Sequence, residues 1–150
     1  MPNRQHIAEE LQDLIQICRD GQEGYRDGAE HAKDPELKRI FNEVSLERAK
    51  FAGDLEAEAI RWGKSDVDRS GTALGAVHRG WANLKAALGG GDDALLSSME
   101  TGDEFARKRY DEAISDGQTP DDVAGILRNQ AQAIVGTLDR IRAMRRRKAA

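Results

Sequence analysis

Proline falls only where a helix can begin. Two of the three prolines stand in Asp34-Pro35-Glu36 and Thr119-Pro120-Asp121-Asp122. In each, a capping side chain precedes a proline at the first helical position, and acids follow where the helix dipole is positive. Pro2 lies ahead of the first periodic segment. The stretches between are proline-free, so apolar residues spaced by three and four can run on as long, unbroken helices.

Four such helices are expected. The first runs from Arg4 to Ala32, with Ile7, Leu11, Leu14, Ile15, Cys18, Gln22, Tyr25 and Ala29 on one face. Gly21, Gly24 and Gly28 weaken it by about 1 kcal/mol each relative to Ala; they either end it early or admit a close neighbour. The second runs from Pro35 to Trp62 on a stripe of Leu37, Ile40, Phe41, Val44, Phe51, Leu55 and Trp62, with Gly63 suited to the position after its end. The third runs from a cap at Asp92 to Ser115, and the fourth from Pro120 to Arg146. Between the second and third, a shorter helix is expected from Thr72 to Leu88, carrying Leu74, Val77, Trp81, Leu84 and Leu88 and ended by Gly89-Gly90-Gly91.

The fold class expected is all-α, a four-helix bundle. Short loops make the first pair and the second pair antiparallel hairpins. The second helix is about 42 Å long at 1.5 Å per residue, and segment 64–91 can carry the chain back along it. Helices two and three then run parallel, the ferritin-like arrangement with a long crossover. With only 5% aromatic and 33% charged residues, a β-sandwich is disfavoured. A length of 150 residues suits one domain, 1–150. Apolar runs are too short to cross a membrane and Met1–Glu10 is polar, so a cytoplasmic location is expected.

Charge is uneven. The chain carries −4, but Arg140, Arg142, Arg145, Arg146, Arg147 and Lys148 crowd residues 140–150 without an acid; removing those six cations leaves −10 on residues 1–139. An acidic body is a poor non-specific nucleic-acid binder, while a basic end can touch phosphates. The plainer reading is that these cations complement the dipole at a helix C-terminus. Nucleic acid is therefore an unfavoured partner.

Polar residues on inward stripes suggest a buried site. Gln22 lies seven after Ile15 with Glu23 beside it; Glu47 lies three after Val44; Asp103 lies four after Met99; Gln130 lies between Ile126 and Ile134. One polar residue per helix at mid-height can form a single layer, and carboxylates and amides from four helices are the walls of buried metal sites. Glu47 and Asp103, with Glu23 or Glu100 and the amides of Gln22 and Gln130, are thus the candidate ligands for iron or another divalent metal. A di-iron bundle also needs Glu-x-x-His on two helices. Lys50 follows Glu47 at that offset, Ala133 follows Gln130, and His6, His31 and His78 lie elsewhere. The same residues read more simply as a hydrogen-bonded polar network, in which Arg48 neutralises Glu47 or Asp103. Cys18 reads as a small buried hydrophobe, and Tyr25, Tyr110 and Trp81 as core. No Ser/His/Asp or Cys/His arrangement can be assembled, so no catalytic residue is assigned.

Several segments resemble a bacterial domain-of-unknown-function family described as ferritin-like four-helix bundles. They are Leu14-Ile15-Gln16-Ile17-Cys18-Arg19-Asp20-Gly21-Gln22-Glu23-Gly24-Tyr25, Asp34-Pro35-Glu36-Leu37-Lys38, Arg48-Ala49-Lys50-Phe51, Leu55-Glu56-Ala57-Glu58, His78-Arg79-Gly80-Trp81-Ala82-Asn83-Leu84-Lys85-Ala86-Ala87-Leu88, Thr101-Gly102-Asp103-Glu104 and Asp139-Arg140-Ile141-Arg142. The resemblance implies a stress-associated bundle of ferritin or rubrerythrin shape, and it implies no reaction. Two positions depart from the family pattern: Leu138 stands where members carry His, and Gly102-Asp103-Glu104 where they favour Gly-Glu-Asp. Both work against a metal centre. The expected function is a non-catalytic binding or scaffold bundle, with a di-metal oxidase or iron handler as the alternative and a basic-tail nucleic-acid binder as a further one. Ile60 and Trp62, left apolar outside one bundle, point to a homo-oligomer.

Overall fold

The computed structural model describes residues 3–68 and 80–149. Every regular element among them is a helix: α1 Arg4–His31, α2 Pro35–Arg61, α3 Leu84–Ala87, α4 Asp92–Ser115 and α5 Asp121–Ala149. None is long and apolar enough to cross a membrane.

Local chemistry sets most of the ends. The Asn3 side chain accepts from His6 N, and that of Asp34 accepts from Glu36 N. Gly63, at φ +100°, takes the left-handed conformation that closes α2. Asp92 does not cap α4; Gly91 holds that position, and Asp92 is the first helical residue. Its carboxylate accepts from the backbone N–H groups of Lys33 and Asp34 at 2.8 and 3.0 Å, pinning the α1–α2 turn against the start of α4. Thr119 is turned inward, its hydroxyl donating to Ala113 O at 2.8 Å.

Cross-helix bonds fix the directions. His6 and Lys33, near the two ends of α1, meet Asp116 and Asp92 at the opposite ends of α4, so the two helices are antiparallel. Arg61 at the end of α2 reaches Asp122 at the start of α5. Helices α2 and α4 consequently run parallel, and residues 62–91 make the return. Two apolar clusters fill the interior between the four long helices. One is built on Leu11, Leu14, Leu55 and Leu127, the other on Tyr25, Phe41, Leu96 and Met99.

The return segment departs from the helix expected over 72–88. Leu74, Val77 and His78 lie outside the described residues. Beyond them Gly80 sits at φ +96°, and only Leu84–Ala87 is α-helical. Trp81 lies in the interior, where it is 6% exposed. Its ring lies flat across Gly24 of α1 and Gly102 of α4; a Cβ at Gly24 would stand 2.6 Å from Trp81 Cζ3, and one at Gly102 would also collide with the indole. The glycines of α1 therefore neither end the helix nor admit another helix. Gly21 makes room for Arg48, Gly24 for Trp81 and Gly28 for Met99. Each helix-propensity penalty is exchanged for a large side chain buried against backbone.

Substituting Gly24→Ala should destabilise the fold by about 1–3 kcal/mol through overpacking, although alanine is the better helix former. Trp81→Ala should cost about 3–5 kcal/mol. Urea unfolding followed by circular dichroism checks both. A stabilised Gly24→Ala would show that the indole does not occupy this groove.

Candidate functional site

A charged pair lies at the centre of the molecule. Arg48 on α2 is 2% exposed and Asp103 on α4 is fully buried. The guanidinium engages the carboxylate with two bonds, Nη1 to Oδ1 at 2.6 Å and Nη2 to Oδ2 at 3.0 Å. Tyr25 on α1 adds a third bond, its hydroxyl donating to Asp103 Oδ2 at 2.5 Å. The Arg48 guanidinium also lies 5.3 Å from the centre of the Tyr25 ring. Tyr25 is held edge-on by Phe41 and Trp81, at 5.6 and 5.9 Å between ring centres. Burial and the adjacent Asp103 push the Tyr25 hydroxyl well above its ordinary range, so it stays a proton donor. Arg48 Nε alone of this group has no acceptor.

A second polar chain lies two helical turns away. Cys18 Sγ is 3.1 Å from the Tyr110 hydroxyl, which donates to Gln130 Oε1 at 2.6 Å. Since the tyrosine's one proton goes to Gln130, the Cys18 thiol is the donor at its other side. Gln130 Nε2 completes the chain on Phe51 O at 3.4 Å. Burial raises the Cys18 thiol to about 11, which keeps it protonated and unreactive at neutral pH. The pairs Cys18–Tyr110 and Tyr25–Asp103 are seven residues apart on both α1 and α4, so the two levels lie about 10 Å apart.

The residues expected to form one layer are divided among three places. Asp103 is in the first network and Gln130 in the second. Gln22 and Glu47 are half-buried at the side of the bundle. Gln22 Oε1 accepts from Arg19 at 2.8 Å. The inward stripe of α2 runs through Val44, Arg48, Ala52 and Leu55, which turns position 47 about 100° away from the interior. Glu23 is half-buried, and its carboxyl is raised by burial and by Asp20. Glu100 faces α5, paired with Arg145 at 3.0 Å and with Arg142 at 3.8 Å. Arg142 also pairs with Glu104. Leu138 is core.

This donor set does not fit a di-iron centre. Both Asp103 oxygens are taken by Arg48, and among the described residues no group of three His, Cys, Asp or Glu side chains within reach of one ion includes Asp103. The grouping of His, Cys, Asp and Glu that those residues do bring within reach of one ion is His6, Glu10 and Asp116, at the end of α1 opposite His31. Its signal in the sequence was half visible: His6 and Glu10 stand four apart on one helix, but Asp116 joins them only through the packing of α4 on α1.

A family model described as a domain of unknown function (DUF2383) matches residues 6–116. That span includes Tyr25, Arg48, Asp103, Cys18 and Tyr110, while Gln130 lies beyond it. No match to a curated protein was found.

Removing one partner of a buried ion pair leaves the other charge uncompensated, at about 3–5 kcal/mol. Asp103→Asn should therefore lose that much in urea unfolding. The triple variant Tyr25→Phe, Arg48→Met, Asp103→Leu, which removes every polar partner together, should lose less than Asp103→Asn alone. A triple variant less stable than the single one would show that the pair is a net source of stability.

Proposed function

For a chain that belongs to the DUF2383 family, whose description carries no activity, we propose a non-catalytic binding or scaffold role: a ferritin-like four-helix bundle, one domain over residues 1–150, whose mid-height interior is closed by protein groups. The observation that carries this reading is the two-bond clasp of Arg48 on Asp103. A ferritin-type site uses inward carboxylates to compensate metal cations; here a guanidinium compensates the Asp103 carboxylate and is itself fixed in place. Trp81 covers the neighbouring Gly24 and Gly102.

The outer surface supports self-association as part of the same reading. Leu46 and Ile60 are 74% and 54% exposed on α2, with Gly53 midway between them at seven-residue spacing. Trp62, in contrast, is partly buried against the core beneath Arg4 and Arg61. The basic end offers less to a nucleic acid than its composition suggests, because Glu100 and Glu104 engage Arg142 and Arg145.

Aerobic oxidation of Fe2+ tests the scaffold reading against the di-metal one. Wild-type protein and Glu47→Gln should both leave the rate at that of buffer. Oxidation accelerated by wild-type protein, lost in Glu47→Gln and retained in His6→Gln, would overturn the proposal in favour of a bundle-centre metal site.

A further inference from the structure

At the end of the bundle remote from the α1–α2 turn, three side chains converge. His6 and Glu10 are one turn apart on α1, and Asp116 closes the C-terminus of α4. His6 Nε2 is 2.7 Å from Asp116 Oδ2 and 3.9 Å from Glu10 Oε2. One imidazole nitrogen and two carboxylate oxygens thus lie within 4.8 Å of one another. We propose that His6, Glu10 and Asp116 form a site for a divalent transition-metal ion of the Zn2+ class, joining the start of α1 to the end of α4.

Geometry is the first argument. Ligands about 2.0–2.1 Å from a tetrahedral ion stand about 3.3 Å from each other. The His6–Asp116 and His6–Glu10 separations bracket that value, and Glu10 and Asp116 lie within 4.8 Å of each other. The side chains are partly enclosed, at 37% exposure for His6, 17% for Glu10 and 22% for Asp116. An ion can therefore enter from solvent and keep water in its remaining position.

The second argument is orientation. Backbone N–H of Gln118 donates to Asp116 Oδ1 at 2.9 Å, which directs Oδ2 toward His6. The Thr119 hydroxyl lies 3.3 Å from Glu10 Oε2 and 2.8 Å from Ala113 O, and its one proton serves one of these acceptors at a time. The turn between α4 and α5 thus orients Asp116 and places a hydroxyl beside Glu10. Such outer hydrogen bonds orient metal ligands and sharpen affinity.

Charge is the third. Elsewhere on the bundle, interhelical carboxylates meet arginine: Glu56 meets Arg19, Asp13 meets Arg109, and Asp122 meets Arg61. Among the described residues, Glu10 and Asp116 have no Lys or Arg in ion-pair range, only the shared His6. Two carboxylates facing one imidazole leave a negative pocket that a dication neutralises. One nitrogen and two oxygens suit Zn2+ or Co2+ better than the all-oxygen preference of Ca2+ or Mg2+.

The test is titration of the chelator-stripped full chain with Co2+, read by visible d–d absorption, and with Zn2+, read by calorimetry and thermal unfolding. The wild-type chain should bind one equivalent of each and unfold at higher temperature with Zn2+. His6→Gln and Asp116→Asn should each weaken binding at least about tenfold and abolish the thermal shift, while His31→Gln leaves both unchanged. Circular dichroism establishes that each variant is folded, and Glu10→Gln replaces any that is not. Absence of saturable one-equivalent binding, or binding that survives both ligand substitutions, would overturn the proposal.

Discussion

An ion pair removed from water constrains everything packed around it. Arg48 and Asp103 face each other across α2 and α4 with almost no solvent contact, and desolvating two charges is offset only when their geometry is held closely. The surrounding structure supplies that geometry. Gly21 leaves room for the Arg48 side chain, Tyr25 supplies a third bond, and Trp81 lies over the glycines beside Tyr25 and Asp103. Sliding α1 against α4 by one residue would separate Tyr25 from Asp103 and Cys18 from Tyr110 at the same time. The polar interior thereby specifies one register among the several that leucine and isoleucine packing alone would tolerate.

Much of this was legible in the residues. Proline positions and apolar spacing place the ends of α1, α2 and α4 within a residue or two of where they lie, because capping and periodicity are local properties. The parallel course of α2 and α4 follows from helix length and the size of segment 64–91. Arg48 was readable as the neutraliser of Glu47 or Asp103, and packing decides for Asp103. Glu47 was not placed correctly by its distance from Val44 and Phe51. Three- and four-residue spacings define a stripe wide enough to hold both 47 and 48, and packing decides between them. The purpose of the glycines was equally hidden. Gly24 and Gly102 are 78 residues apart in sequence, and only the fold brings both against one indole. The positive φ of Gly80, next to Trp81, is equally unannounced by the helical apolar pattern in which it stands.

The functional reading shifts for the same reason. Four long helices with inward polar groups invite a metal at mid-height, yet this interior satisfies the Asp103 carboxylate with an arginine and its tyrosines with Asp103 and Gln130. Metal-compatible chemistry lies instead at the end of the bundle, where His6, Glu10 and Asp116 meet. The first arrangement favours one packing of the helices, and the second would respond to an ion from solvent. They are about as far apart as the length of α1 from its first turn to Tyr25, so each can be altered without the other.

The claim on which the rest depends is that Arg48 is clamped and buried, and the NMR behaviour of its guanidinium protons reports this directly. A guanidinium held by two bonds to Asp103 rotates slowly about its C–N bonds and exchanges slowly with water, so separate, persistent Nη–H signals are expected for Arg48 and their loss on Asp103→Asn. A single averaged signal exchanging as fast as those of surface arginines such as Arg39 would contradict it.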